Sequence, residues 1–174
     1  AGKVRAFLVE RLEFYLREAR GQAYDVVKAV LATGAEDVRD AVARAEAVTA
    51  VRGSEDFAAV SAAFKRMKNI LAQAQEKGFN IGEFTPEFAS GVEADFWTQV
   101  NEAGAGFTVD CDRGMYDRAL LKLASLRPII DRYFDSVMVM VEDERIRAHR
   151  LGTLNYLVAT FARIADFSEI VVTG

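Results

Sequence analysis

Residues 54–78 read SEDFAAVSAAFKRMKNILAQAQEKG, and this stretch decides the fold class. Phe57, Val60, Phe64, Met67 and Leu71 recur at spacings of three and four, the period of one buried face of an α-helix. Ser54 stands where an N-cap belongs, and Lys77-Gly78 ends the run with a basic last turn and a glycine stop.

The same period continues outward in both directions. Residues 3–19 place Val4, Phe7, Leu8, Leu12, Tyr15 and Leu16 on one face, before a Gly-containing break at 20–23. Residues 24–33 carry Val26, Val27, Val30 and Leu31, and residues 36–52 carry Val38, Val42, Ala45, Val48 and Val51. Beyond the first stretch, GFNIGEFTP (78–86) reads as a loop, and Thr85-Pro86 reads as the cap and first position of a helix running to about Ala103. GAGFTVD (104–110) reads as a second loop. Helices are then expected over about 112–126, 128–141 and 143–167, followed by a short apolar tail, EIVVTG. The expectation is one all-α domain, residues 1–174, of seven or eight helices. There is no internal repeat, low-complexity segment or linker.

Composition fits a folded core. Of 174 residues 51% are apolar, 12 of them Phe, and only Pro86 and Pro128 interrupt helix formation. No apolar run approaches the roughly 20 residues of a membrane helix, so no membrane partner is expected. The start, AGKVRAFLVERL, is amphipathic and lacks the apolar segment of a signal peptide. It has no Met and runs straight into helical material, which points to a piece cut from a longer chain. One cysteine, Cys111, and one histidine, His149, exclude an internal disulfide and leave a Cys/His zinc site without ligands; this fits a reducing, cytoplasmic setting. A Cys–His nucleophile pair is disfavoured, because Cys111 sits between two acids that oppose thiolate formation. No phosphate loop, G-x-S-x-G or H-E-x-x-H occurs, and no catalytic residue or metal ligand is assigned.

Two charged stretches remain. In FKRMKNIL (64–71), Lys65, Arg66 and Asn69 project opposite the apolar stripe and Lys68 lies at its edge. This is the densest basic patch in a chain of net charge −4. RNA binding rests on phosphate neutralisation, so with this overall charge it needs such a local patch; the plain alternative is an ordinary solvated face. In VMVMVEDERIRAHRL (137–151), Asp143, Arg147 and Arg150 share the side of the core residues Leu154, Leu157 and Phe161, while Arg145 and His149 point away. An inward arginine requires a partner. Asp143, one turn before Arg147, is expected to pair with it, with Asp131, Asp135 and Glu142 as further candidates, making a structural ion-pair joint.

These residues resemble the C-terminal domain of the β subunit of bacterial glycyl-tRNA synthetase, the α2β2 type. The resemblance covers nearly the whole chain. It is carried by FLVERLEFYLRE (7–18), YDVVKAVLA (24–32), FKRMKNIL (64–71) and above all the block ALLKLASLRPIIDRYFDSVMVMVEDERIRAHRLGTLNYLVATFARIADFSEI (119–170). His149 departs from the pattern, which has Asn there. The resemblance implies an all-helical anticodon-binding fold named for an Asp-Ala-Leu-Arg (DALR) motif and shared with the arginyl enzyme. It implies a parent enzyme that ligates glycine to its tRNA with ATP and magnesium, catalysis in the α subunit, and no cofactor in this domain. The partners it implies are glycine tRNA, the rest of the β subunit and the α subunit. Single-stranded bases are read by stacking and edge hydrogen bonds on a locally positive surface, so Lys65, Arg66, Lys68, Asn69, Arg145 and His149 are the candidate RNA contacts. The competing expectation is a helical packing domain that touches no RNA, which the acidic net charge favours.

Overall fold

The structure, a computed structural model, describes residues 2–171, with side chains from residue 6 onward. Eight α-helices follow one another among these residues: α1 (Gly2–Phe14), α2 (Tyr24–Ala32), α3 (Val38–Val51), α4 (Glu55–Glu76), α5 (Gly91–Asp112), α6 (Tyr116–Ala124), α7 (Arg127–Ser136) and α8 (Glu144–Phe161). A π-turn at Tyr15–Ala19 extends α1, and 3-10 turns occupy Pro86–Phe88 and Phe167–Glu169. No described residue lies in a β-strand, and no described helix is long and apolar enough to cross a membrane.

Local chemistry sets the helix starts. Asp37, Ser54, Ser90 and Asp143 each accept hydrogen bonds from first-turn N–H groups of α3, α4, α5 and α8. Ser90 and Glu93 form a reciprocal capping box.

The core lies around α4. Its apolar stripe, Phe57, Val60, Phe64, Met67 and Leu71, is buried throughout. Phe64 meets Phe161 of α8 and Phe167 edge-on, with ring centroids 6.1 and 5.7 Å away. The strap that leaves the far end of α4 reaches the start of α8, where Gly82 N–H donates to Ala148 O at 3.0 Å. The two helices therefore run in opposite senses. Buried Arg44 ties α3 to two distant segments: its guanidinium pairs with Asp40 and donates to Val30 O, Gly34 O and Ile164 O.

Several expected boundaries are corrected. The GAGFTVD loop does not exist; α5 runs through it to Asp112. Its glycines serve packing. A Cβ at Gly104 would lie 3.0 Å from Thr160 Cγ2 on α8, and one at Gly106 would lie 3.0 Å from the Lys122 side chain. Thr85-Pro86 opens only a 3-10 turn, because the capping box at Ser90 supplies a stronger start for α5. Helix α7 stops at Ser136. In VMVMV the valines and methionines alternate with the period of extended chain: Val137 and Val139 are buried, whereas Met138 is 72% exposed. The last helix ends at Phe161, and Asp166 N–H then bonds Ala29 O on α2 at 2.8 Å.

The expected face of α1 is also corrected. Among its described side chains only Leu12 and Leu16 are buried, while Phe7, Leu8 and Tyr15 are exposed. Helix α1 is apolar on two sides, and residue spacing alone does not say which side packs. The side chain of Val4 and residues 172–174 of the tail lie outside the described residues.

Candidate nucleic-acid interface

From Phe57 to Gln75, α4 contains no Asp or Glu. Its solvent ridge carries Lys65, Arg66, Asn69 and Gln73, all exposed. Among the described residues, no carboxylate lies within ion-pair distance of Lys65 or Arg66. Arg66 rests over the ring of Phe134 on α7, with 4.3 Å from its guanidinium carbon to the ring centroid. That contact holds the side chain in place and leaves its charge unneutralised. Lys68 differs. It pairs with Asp166 at 2.5 Å and so helps close the C-terminal segment over the core. Burial raises the Asp166 carboxyl, but bonds from Lys68 and Ser168 outweigh it and hold the group below the usual range.

The charged block at the start of α8 sorts itself differently from its helical wheel. Arg145 is exposed, as expected, and lies over Phe88 with its guanidinium carbon 5.7 Å from the ring centroid. His149 is not outward: it is 2% exposed. The strap over residues 78–90 covers that side of α8. Thr85 N–H donates to His149 Nδ1 at 2.8 Å, and the ring packs on Phe84 at 5.0 Å and Phe88 at 6.3 Å. With Nδ1 accepting, the neutral ring carries its proton on Nε2. That atom has no hydrogen-bond partner, and Glu93 Oε1 is 3.7 Å away. Burial lowers the His149 pKa, outweighing the raising effect of Glu93. A side chain sealed in this way is unavailable to RNA, so His149 leaves the set of RNA contacts.

The close approach of the strap needs glycine. A Cβ on Gly152 would stand 2.3 Å from Gly82 O and 2.7 Å from Glu83 N.

An ion-pair joint does exist, with other partners than expected. Arg150 Nε donates to Glu93 Oε1 at 2.6 Å, its Nη2 to Glu93 Oε2 at 3.3 Å, and its Nη1 to Met138 O at 2.8 Å. Burial pushes the Glu93 carboxyl up, but bonds from Arg150 and Ser90 prevail and hold it at about 2. Asp143 does not pair with Arg147; its carboxylate caps α8 through Arg145 N–H and Ile146 N–H. Arg147 instead lies 3.9 Å over Phe79 and donates to Val141 O and Glu142 O. Sequence spacing could not find Glu93, which comes from α5, although the S-x-x-E signature at Ser90–Glu93 marks it as a structural acid.

Cys111 is buried in α5, and burial pushes its thiol up to about 11. Among the described residues no group of three or more His, Cys, Asp and Glu side chains could hold a metal ion.

An all-helical bundle with a carboxylate-free cationic ridge, a buried structural ion pair and no catalytic constellation among its described residues defines a helical binding module. Comparison with known families makes this specific. The chain belongs to the DALR anticodon binding domain family, whose model matches residues 60–170. Its similarity to curated proteins runs across nearly its full length. It is 51% identical to the glycine–tRNA ligase beta subunit of Acidobacterium capsulatum, over 98% of this chain and 25% of that protein. It is 40% identical to the subunit of the same name from Syntrophus aciditrophicus, over 88% of the chain and 22% of that protein. For Moorella thermoacetica the identity is 38%, over 95% and 23%. The chain thus spans about a quarter of the length of these relatives.

Proposed function

We propose that this chain is the tRNA-recognising domain of a glycine–tRNA ligase β subunit, a single helical domain within a longer polypeptide, and that it engages the anticodon region of glycine tRNA. The observation that carries this reading is the α4 ridge, which lies within the segment matched by the anticodon-binding family. There Lys65, Arg66 and Asn69 combine unneutralised charge with hydrogen-bonding groups, as single-stranded RNA requires. Arg145 extends the surface at the start of α8, and Lys68 contributes at its margin. The domain itself performs no chemical step. ATP-dependent joining of glycine to the tRNA, with magnesium, belongs to the parent enzyme and its α subunit in the cytoplasm, and this domain presents the tRNA to it.

Titrating the chain with glycine tRNA and with the same tRNA carrying a changed anticodon tests the reading. Tight binding at low salt that weakens on the anticodon change supports it. Equal affinity for both tRNAs overturns recognition of the anticodon, and no binding at low salt supports a packing domain instead.

A further inference from the structure

We propose that the groove between α2, α4 and the 3-10 turn Phe167–Glu169 receives one unstacked base of the bound RNA, stacked on Tyr24, with the adjoining phosphate on Lys65. This site deepens the tRNA-binding reading and rests on it.

The groove has a volume of about 420 Å³ and is lined by Tyr24, Lys28, Ala62, Lys65, Ser168 and Glu169, among others. That volume lies in the range of about 300–1,000 Å³ typical of small-ligand sites. Tyr24 opens α2 and is 59% exposed, a large aromatic surface left in water. Arg17 lies 5.2 Å from its ring centroid and restrains the ring. An aromatic ring held beside a groove is the element on which single-stranded nucleic acids stack their bases.

Among the described residues the charges around the groove are matched, with one exception. Glu169 pairs with Lys28 at 2.8 Å. Asp25 pairs with Arg52 at 2.5 Å and accepts from Val26 N–H and Val171 N–H. Lys65 remains as the unneutralised cation. Ala62 keeps the α4 wall shallow. Lys65 belongs to both the groove and the α4 ridge. An RNA backbone crossing the ridge therefore delivers a nucleotide to Tyr24.

The test uses this chain and the anticodon stem-loop of glycine tRNA, with 2-aminopurine placed in turn at each loop position. Stacking on Tyr24 predicts that one loop position changes fluorescence on binding. Tyr24→Leu abolishes that change and weakens binding about tenfold, in line with the value of one base–aromatic stack. Tyr24→Phe preserves both. Lys65→Ala weakens binding and flattens its salt dependence, and the fluorescence change persists at saturation. Wild-type affinity and fluorescence in Tyr24→Leu overturn the groove proposal. If Lys65→Ala with Arg66→Ala still weakens binding in that case, the ridge reading stands alone. If the wild-type chain binds no RNA at low salt, the tRNA reading itself fails, and the groove proposal with it.

Discussion

Arg150 of α8 and Glu93 of α5 form a buried two-pronged ion pair, Nε–Oε1 2.6 Å and Nη2–Oε2 3.3 Å, in which Glu93 is 2% exposed. The same carboxylate accepts the Ser90 N–H of the capping box at 2.8 Å. One side chain thus fixes both the start of α5 and its docking to α8. Removing a single partner strands a buried charge, so Arg150→Met is expected to cost roughly 3–5 kcal/mol in urea unfolding. Replacing both, as Glu93→Leu with Arg150→Met, is expected to cost less than Arg150→Met alone, because no buried charge remains. A double variant less stable than the single one contradicts this account of the joint.

Acid stability follows from His149 and Glu93 together. Burial lowers the His149 pKa below its unfolded value of about 6.5. The unfolded chain therefore binds the proton first, and the stabilising contribution is present above about pH 6.5 and lost as pH falls through the folded pKa. Protonation of Nδ1 also removes the acceptor that pins Thr85. Glu93, held at about 2, adds a second loss from about pH 4.5 downward. Thermal melts from pH 7.5 to 5 are expected to show a decline that His149→Asn reduces. An identical decline in that variant assigns it elsewhere.

Gly152 and Gly106 separate backbone from side-chain crowding. At Gly152 an added Cβ meets the strap backbone at 2.3 Å from Gly82 O, whereas at Gly106 it meets the flexible end of Lys122. Gly152→Ala is expected to lower stability by about 2–3 kcal/mol and release the strap. Gly106→Ala is expected to stay within about 1 kcal/mol of wild type, since alanine also favours the helix. Hydrogen exchange of the Gly82 and Thr85 amides reads the release directly, because both donate to α8. Unchanged protection of these amides in Gly152→Ala contradicts the pinning role.

Much of this fold was legible in the sequence, for physical reasons that also explain the misses. The stripe from Phe57 to Leu71 fits only one period, so α4 was readable to within a residue at each end. The outward placement of Lys65, Arg66 and Asn69 followed from that stripe. Non-local packing was not readable. The glycines at 104 and 106 look like a turn until α8 and Lys122 are placed against them. His149 points away from its helix's core stripe, and only the strap from another part of the chain buries it. Arg150 announced that it needed a partner, but Glu93 lies 57 residues away. The helix expected over 128–141 ran on through VMVMV, because its apolar positions also fit a helix buried on most sides; α7 ends at Ser136.

The central claim is that α4 presents its ridge to RNA, and the most direct test is the salt dependence of glycine-tRNA binding by wild type and by Lys65→Ala with Arg66→Ala. Both side chains are exposed, and the Arg66–Phe134 contact contributes only about 0.5–1 kcal/mol, so the melting temperature should change little. Loss of two contacts to single-stranded phosphates is expected to reduce the slope of log K against log salt by about 1.4. Weaker binding with this shallower slope and a near-native melt is the predicted result. Wild-type affinity and slope in the double variant contradict the account.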